Sequence, residues 1–116
     1  MSEPTPILAV ADLFGISGRR EELRVVLDAA ERDAANHPGC VRYSFAATVA
    51  DPDHFVLVSE WRDQAALDAH YASTGFADFQ FSLEGVLARP SEMTVYSVRG
   101  SVRPLPSRPL DPRAAD

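Results

Sequence analysis

Hydrophobic and polar positions change their period several times along the chain, and each change marks an element. Residues 6–13, "PILAVADL", are apolar with little helical spacing, which predicts a strand. "GISGRREE" interrupts that run with its two glycines. From Arg19 to Asn36 the spacing is helical, with Leu23, Val26, Leu27, Ala30 and Ala34 on one face. Asp28 and Arg32 stand four apart on the other side, and Glu21 and Glu22 occupy the first turn, where the helix dipole favours carboxylates. "HPGC" ends the helix, since Pro38 disfavours helical geometry at His37 and Gly39 permits a sharp turn. Residues 41–49 then alternate: Val41, Tyr43, Phe45, Ala47 and Val49 point one way, Arg42, Ser44 and Thr48 the other. After the turn "ADPD", the run "HFVLVSEW" is a second strand of the same kind, and the two form a hairpin. Asp63 is placed to cap a short helix that runs through Tyr71. Phe76, Phe79, Leu83, Val86 and Leu87 trace a third helical face, and a last strand runs from Glu92 to Val102.

The predicted order is β-α-β-β-α-α-β, an α+β plan: a ferredoxin-like four-stranded antiparallel sheet with helices on one face. Phe55 and Leu57 alternate with Val56 and Val58, so both faces of this sheet are apolar. The face without helices needs a cover. The same sheet of another copy would provide one, so a two-fold homodimer is expected.

The totals narrow the possible roles. A chain of 116 residues, 46% hydrophobic, supports one domain, expected over residues 1–102. The segment 103–116 carries four prolines and little to bury, so it reads as a Pro-rich tail, either loose or draped over a neighbour. Its "PSRP" and "PLDP" also have the PxxP spacing of a polyproline ligand. A net charge of −6 with no lysine argues against a nucleic-acid partner. No apolar run reaches the length of a membrane span and the N-terminus lacks a basic-then-apolar signal, so no membrane association and a cytoplasmic location are expected. Cys40 is the only cysteine, which excludes an intrachain disulfide.

Candidate chemistry concentrates around "SEWRDQAALDAH". His70 follows Leu67 and Ala66 by three and four residues, so it faces inward with them. Such a histidine serves either as a general base or hydrogen-bond partner in a pocket, or as a core-edge residue bonded to a backbone carbonyl. Trp61 shares a strand face with Phe55, Leu57 and Ser59, as core or as the wall of an aromatic site. Tyr71, Phe76 and Phe79 add an aromatic wall beside His70, or ordinary core. Glu60 lies on an apolar face with Val56 and Val58, and a structural ion pair with Arg42, Arg99 or an arginine of the dimer mate is expected. His37 and His54 read as surface residues. No metal-ligand spacing, phosphate loop, nucleophile elbow or activated cysteine is present, so neither a bound metal nor nucleophilic catalysis is expected.

From about Ile7 to Val98 the chain resembles the antibiotic biosynthesis monooxygenase (ABM) domain. The features that carry this, in order, are "HPGCVRYSF", "DPDHFVLVSEW", "AALDAHYAS" and "GFADF". The resemblance implies a dimeric α+β barrel. It also implies a cofactor-independent monooxygenase that oxidises a quinol or polycyclic aromatic with O₂, with His70 as base and Trp61, Tyr71, Phe76 and Phe79 around the substrate. Haem-degrading relatives carry asparagine, tryptophan and histidine where this chain has Ala11, His70 and Gln80, which argues against haem. Leu57 and Leu67 are apolar where some polyketide-oxidising members place polar residues. The alternative is a non-oxygenase on the same scaffold, an isomerase-like or ligand-binding dimer. A third reading is a structural dimer whose pocket is filled by its own side chains.

Overall fold

Burial alternates residue by residue along two strands, β1 (Ile7–Phe14) and β3 (His54–Trp61), which pair antiparallel over their full length. Ile7, Ala9, Ala11 and Leu13 of β1 are buried on the same side as Phe55, Leu57, Ser59 and Trp61 of β3. The structure, a computed structural model, describes residues 4–100. The other elements are α1 (Arg20–Ala34), β2 (Cys40–Ala47), α2 (Gln64–Tyr71), α3 (Thr74–Leu83) and β4 (Glu92–Ser97). The strands form one antiparallel sheet in the order β2-β3-β1-β4. This is the predicted ferredoxin-like α+β fold, with the helices over one face.

Helix α1 buries Leu23, Leu27, Ala30 and Ala34, the stripe its spacing predicted. On its solvent side Arg24 pairs with Glu21 and Arg32 with Asp28, each at 2.6 Å. The core has two centres. One joins Ala11, Leu13, Leu23, Leu27, Phe55, Leu57, Leu83 and Val86; the other joins Ile7, Trp61, Ala66 and Leu67.

Three expectations are corrected. Val41 does not share the Tyr43 face: a register irregularity between Cys40 and Arg42 leaves it 61% exposed and turns Cys40 toward Trp61 instead. Helix α3 stops at Leu83, because Glu84 takes an extended ψ of 132°. Val86 still reaches the core, from the turn that follows. The last strand ends at Ser97; residues 101–102 of the expected strand and the whole 103–116 tail lie outside the described residues.

The turn at 37–40 fixes the position of α2. Gly39, at φ +83°, lies so close to Ala66 that a side chain there would overlap it, and its carbonyl accepts from Arg62 N–H at 2.8 Å. The end of α1 and the start of α2 are thereby clamped together.

Candidate active site

Helix α2 carries the candidate base, and its ends are well defined. Asp63 caps it, accepting a hydrogen bond from Ala66 N–H at 2.9 Å. At its other end Ser73 Oγ donates to the His70 carbonyl at 2.6 Å and accepts from Phe76 N–H at 3.2 Å, so one hydroxyl joins the end of α2 to the cap of α3. His70 and Phe76 are held on adjacent helix ends as a result.

The His70 ring is buried, only 3% exposed, within a cage of aromatic rings. Trp61 stacks on it at 4.7 Å, Phe76 approaches at 5.2 Å, Tyr43 at 5.5 Å and Tyr71 at 5.7 Å. His37 sets its ring against His70 at 4.9 Å and 85°. Burial, with a smaller contribution from His37, pushes His70 down to about 4, so the ring is neutral at neutral pH. It is therefore a hydrogen-bond acceptor and a weaker base than the near-neutral histidine expected. Burial also pushes the Tyr43 and Tyr71 phenols up, so both remain protonated donors.

Two polar atoms here are buried with no hydrogen-bond partner in the protein: Trp61 Nε1 and His70 Nδ1. The core-edge reading of His70, satisfied by a backbone carbonyl, is not met at Nδ1. An unpaired buried polar atom costs about 1–3 kcal/mol, an expense usually associated with a functional site.

Beside these rings lies a cavity of about 90 Å³. Four predicted wall residues, Trp61, Tyr71, Phe76 and Phe79, line it together with His70. Its floor is apolar, made of Ala11, Leu57 and Leu67, and its mouth passes the exposed residues Gln80, Ser91 and Met93. Tyr71 Oη donates to Met93 Sδ at 3.1 Å across this mouth. The presence of a cavity here goes against the reading of a pocket filled by its own side chains.

Sequence reasoning did not single out Tyr43, Phe45, Ser59 or Met93 as lining residues. For Tyr43 and Phe45 a signal existed, since both lie on the alternating face that meets Ser59 and Leu57 of β3. Met93 had none, because only the β1–β4 register brings it opposite Ala11.

Three expectations about individual side chains change. Glu60 is half-buried on the open face opposite Arg42, yet it makes no ion pair among the described residues. His37 is not a surface residue: its side chain is 17% exposed and its Nε2 lies 3.2 Å from Asp33 Oδ2. His54 is likewise partly buried, with Nε2 2.7 Å from Asp12 Oδ1 and its ring stacked on Phe14. Among the described residues no three His, Cys, Asp or Glu side chains converge as metal ligands, and no helix is long and apolar enough to cross a membrane.

A family model for antibiotic biosynthesis monooxygenases matches residues 6–81, from the start of β1 to the last turn of α3. The chain belongs to the antibiotic biosynthesis monooxygenase family. A curated relative, the uncharacterised protein sll1783 of Synechocystis, is 27% identical over 93 residues; these cover 80% of this chain and 63% of that protein, so the chain spans less than two thirds of its length. Among solved structures, PA3566 of Pseudomonas aeruginosa superposes with a TM-score of 0.77 at 24% identity, covering 86% of this chain and all (100%) of that one. SnoaB of Streptomyces nogalater, a cofactor-independent oxygenase, superposes with a TM-score of 0.74 at 20% identity, covering 84% and 97%. At these identities the structural likeness establishes the shared fold. The reaction must be argued from the pocket.

Proposed function

We propose that this ABM-family protein is a cofactor-independent monooxygenase that oxidises a quinol or related polycyclic aromatic with O₂, working in the cytoplasm as a homodimer. The observation that carries the reading is the aromatic cavity closed around a buried, neutral His70. Flat aromatic walls favour a planar ligand, and a buried neutral imidazole able to accept a hydrogen bond favours a phenolic hydroxyl. Its volume of about 90 Å³ is smaller than the cavity of about 150 Å³ known to hold benzene. A single ring therefore enters only in part, and the remainder of the substrate extends past Gln80, Ser91 and Met93.

In this reading the substrate supplies all the electrons. Its hydroxyl donates to His70, and the proton moves to the ring as O₂ draws electron density from the developing phenolate. The negative charge opposite His70 offsets the burial that otherwise disfavours the imidazolium. With an anthrone, the ring CH₂ and O₂ become a carbonyl and one water, so atoms and electrons balance without an external reductant. Exclusion of bulk water by the surrounding rings strengthens the His70–substrate contact.

The test is oxygen uptake with a panel of hydroquinones and anthrones, comparing the protein with His70→Ala. Turnover should fall about 10²–10⁴-fold in the variant. Unchanged turnover would remove His70 from the mechanism. Ligand-induced thermal stabilisation without oxygen uptake would support the binding-protein alternative.

A further inference from the structure

His37 does not line the cavity, yet of all the rings around His70 only that of Trp61 is nearer than its own. Two contacts hold it there, and a third confines its partner Asp33. Asp33 Oδ2, one helical turn earlier, lies 3.2 Å from His37 Nε2 and accepts its proton. The 37–40 turn is locked onto α2 by the contact of Gly39 with Ala66. Asp33 is itself confined by α3: a methyl at Gly75 would overlap its carboxylate. A side chain at 75 would therefore displace the Asp33 carboxylate from its place beside His37.

Exposure rises stepwise along this series. His70 is 3% exposed, while the side chains of His37 and Asp33 are 17% and 44% exposed.

We infer that His37, anchored by Asp33, is a positioning residue of the pocket whose charge adds to the effect of burial in disfavouring a positive charge on His70. Two imidazolium rings at 4.9 Å repel, so positive charge at His37 disfavours a second positive charge on His70. The Asp33 carboxylate acts in the opposite sense on His70 and stabilises positive charge there. His37 thus pushes the His70 ring down and Asp33 pushes it up, both on top of the larger effect of burial. The other titratable groups facing the ring are Tyr43 of β2 and Tyr71 of α2, both protonated and uncharged in this range. Trp61 of β3 and Phe76 of α3 do not titrate.

For its catalytic meaning the inference rests on the proposed oxygenase reading, but its test does not. The three histidines of the chain are followed by NMR titration in the full-length protein and in His37→Gln and Asp33→Asn variants. Removing His37 should raise the His70 midpoint by about one pH unit, and removing the Asp33 charge should lower it. The His54 midpoint, on the opposite face of the sheet, should stay fixed in both variants and serves as the internal control. Opposite signs are the deciding feature, because a variant that merely loosens the site and admits water raises His70 in either case. Gly75→Ala, which displaces Asp33, should reproduce the Asp33→Asn shift.

Equal or same-sign shifts of His70 in His37→Gln and Asp33→Asn would overturn the inference. If oxygen uptake is found, its acid limb should move with the His70 midpoint. Opposed NMR shifts with no uptake from any form would refute the oxygenase reading and leave the coupling intact.

Discussion

At the scale of single residues, His70 has a consequence for stability that does not depend on any substrate. In the unfolded chain its ring returns to the ordinary value of 6.5, whereas burial in the fold depresses it to about 4. Between these two values the unfolded state binds a proton that the folded state does not. Stability therefore falls as pH drops through this window and stops falling, for this group, once the folded form is also protonated. The shift corresponds to roughly 3 kcal/mol. Urea unfolding at about pH 7 and about pH 4.5 should show His70→Phe losing roughly 2–3 kcal/mol less than the natural protein. Equal losses would mean that His70 titrates normally in the fold. The inward aim of His70 was readable from its spacing after Ala66 and Leu67, a local property of a helix. Its unpaired Nδ1 and its contact with His37 were not, because each depends on how the 37–40 turn meets α2. "HPG" reads locally as a surface turn, and only Gly39 pressed against Ala66 makes it interior.

At the scale of elements, the strength of local signals explains what was legible. The cap at Asp63 needed only a short polar side chain before an apolar run, and α2 begins at the next residue. The end of α3 was misread because Val86 and Leu87 continue a helical spacing after the backbone has left the helix at Glu84. A buried residue supplied from a turn has the same periodicity as one supplied from a helix. The irregularity between Cys40 and Arg42 is equally silent, since adding one residue to a strand leaves its composition unchanged. Because α2 holds both His70 and Tyr71 against the cavity, its cap is a lever on the site. Asp63→Ala leaves the Ala66 N–H without its acceptor at 2.9 Å and should cost about 1 kcal/mol in urea unfolding. Asp63→Asn, which can still accept, should cost much less. An alanine variant as stable as the asparagine one would show that packing alone fixes the start of α2.

At the scale of the whole molecule, the uncovered face of the sheet is the surface on which the proposed homodimer rests. Leu8, Val10, Phe14, Val56 and Val58 lie on that face only partly buried, and Tyr96 of β4 joins them 51% exposed. This two-sided apolar pattern was the clearest long-range feature of the sequence, since strand alternation assigns residues to faces before the strand order is known. Three strands of eight residues, each about 26 Å long, and β4 of six, about 20 Å long, lie about 4.8 Å apart, so the face measures roughly 500 Å² in projection. Side-chain relief adds to this projected area, and a standard interface buries about 800 Å² of accessible surface per partner. Stacking two such faces also brings Arg42 and Glu60, which have no ion pair among the described residues, into the buried layer, where an intersubunit pair would satisfy both. Val10 and Val58 sit directly opposite one another on the two central strands. A carboxylate at either position would be buried unpaired if the faces stack, at about 3–5 kcal/mol, and should weaken association by two to three orders of magnitude or more. Sedimentation equilibrium should therefore find the natural protein at twice its 12.6 kDa chain mass and Val58→Asp at once that mass at micromolar concentration. Val25→Asp, on the already exposed side of α1, should remain dimeric. A natural protein that sediments as a monomer at on the order of 100 µM would require another cover for this face, and Val58→Asp should then have no effect on mass.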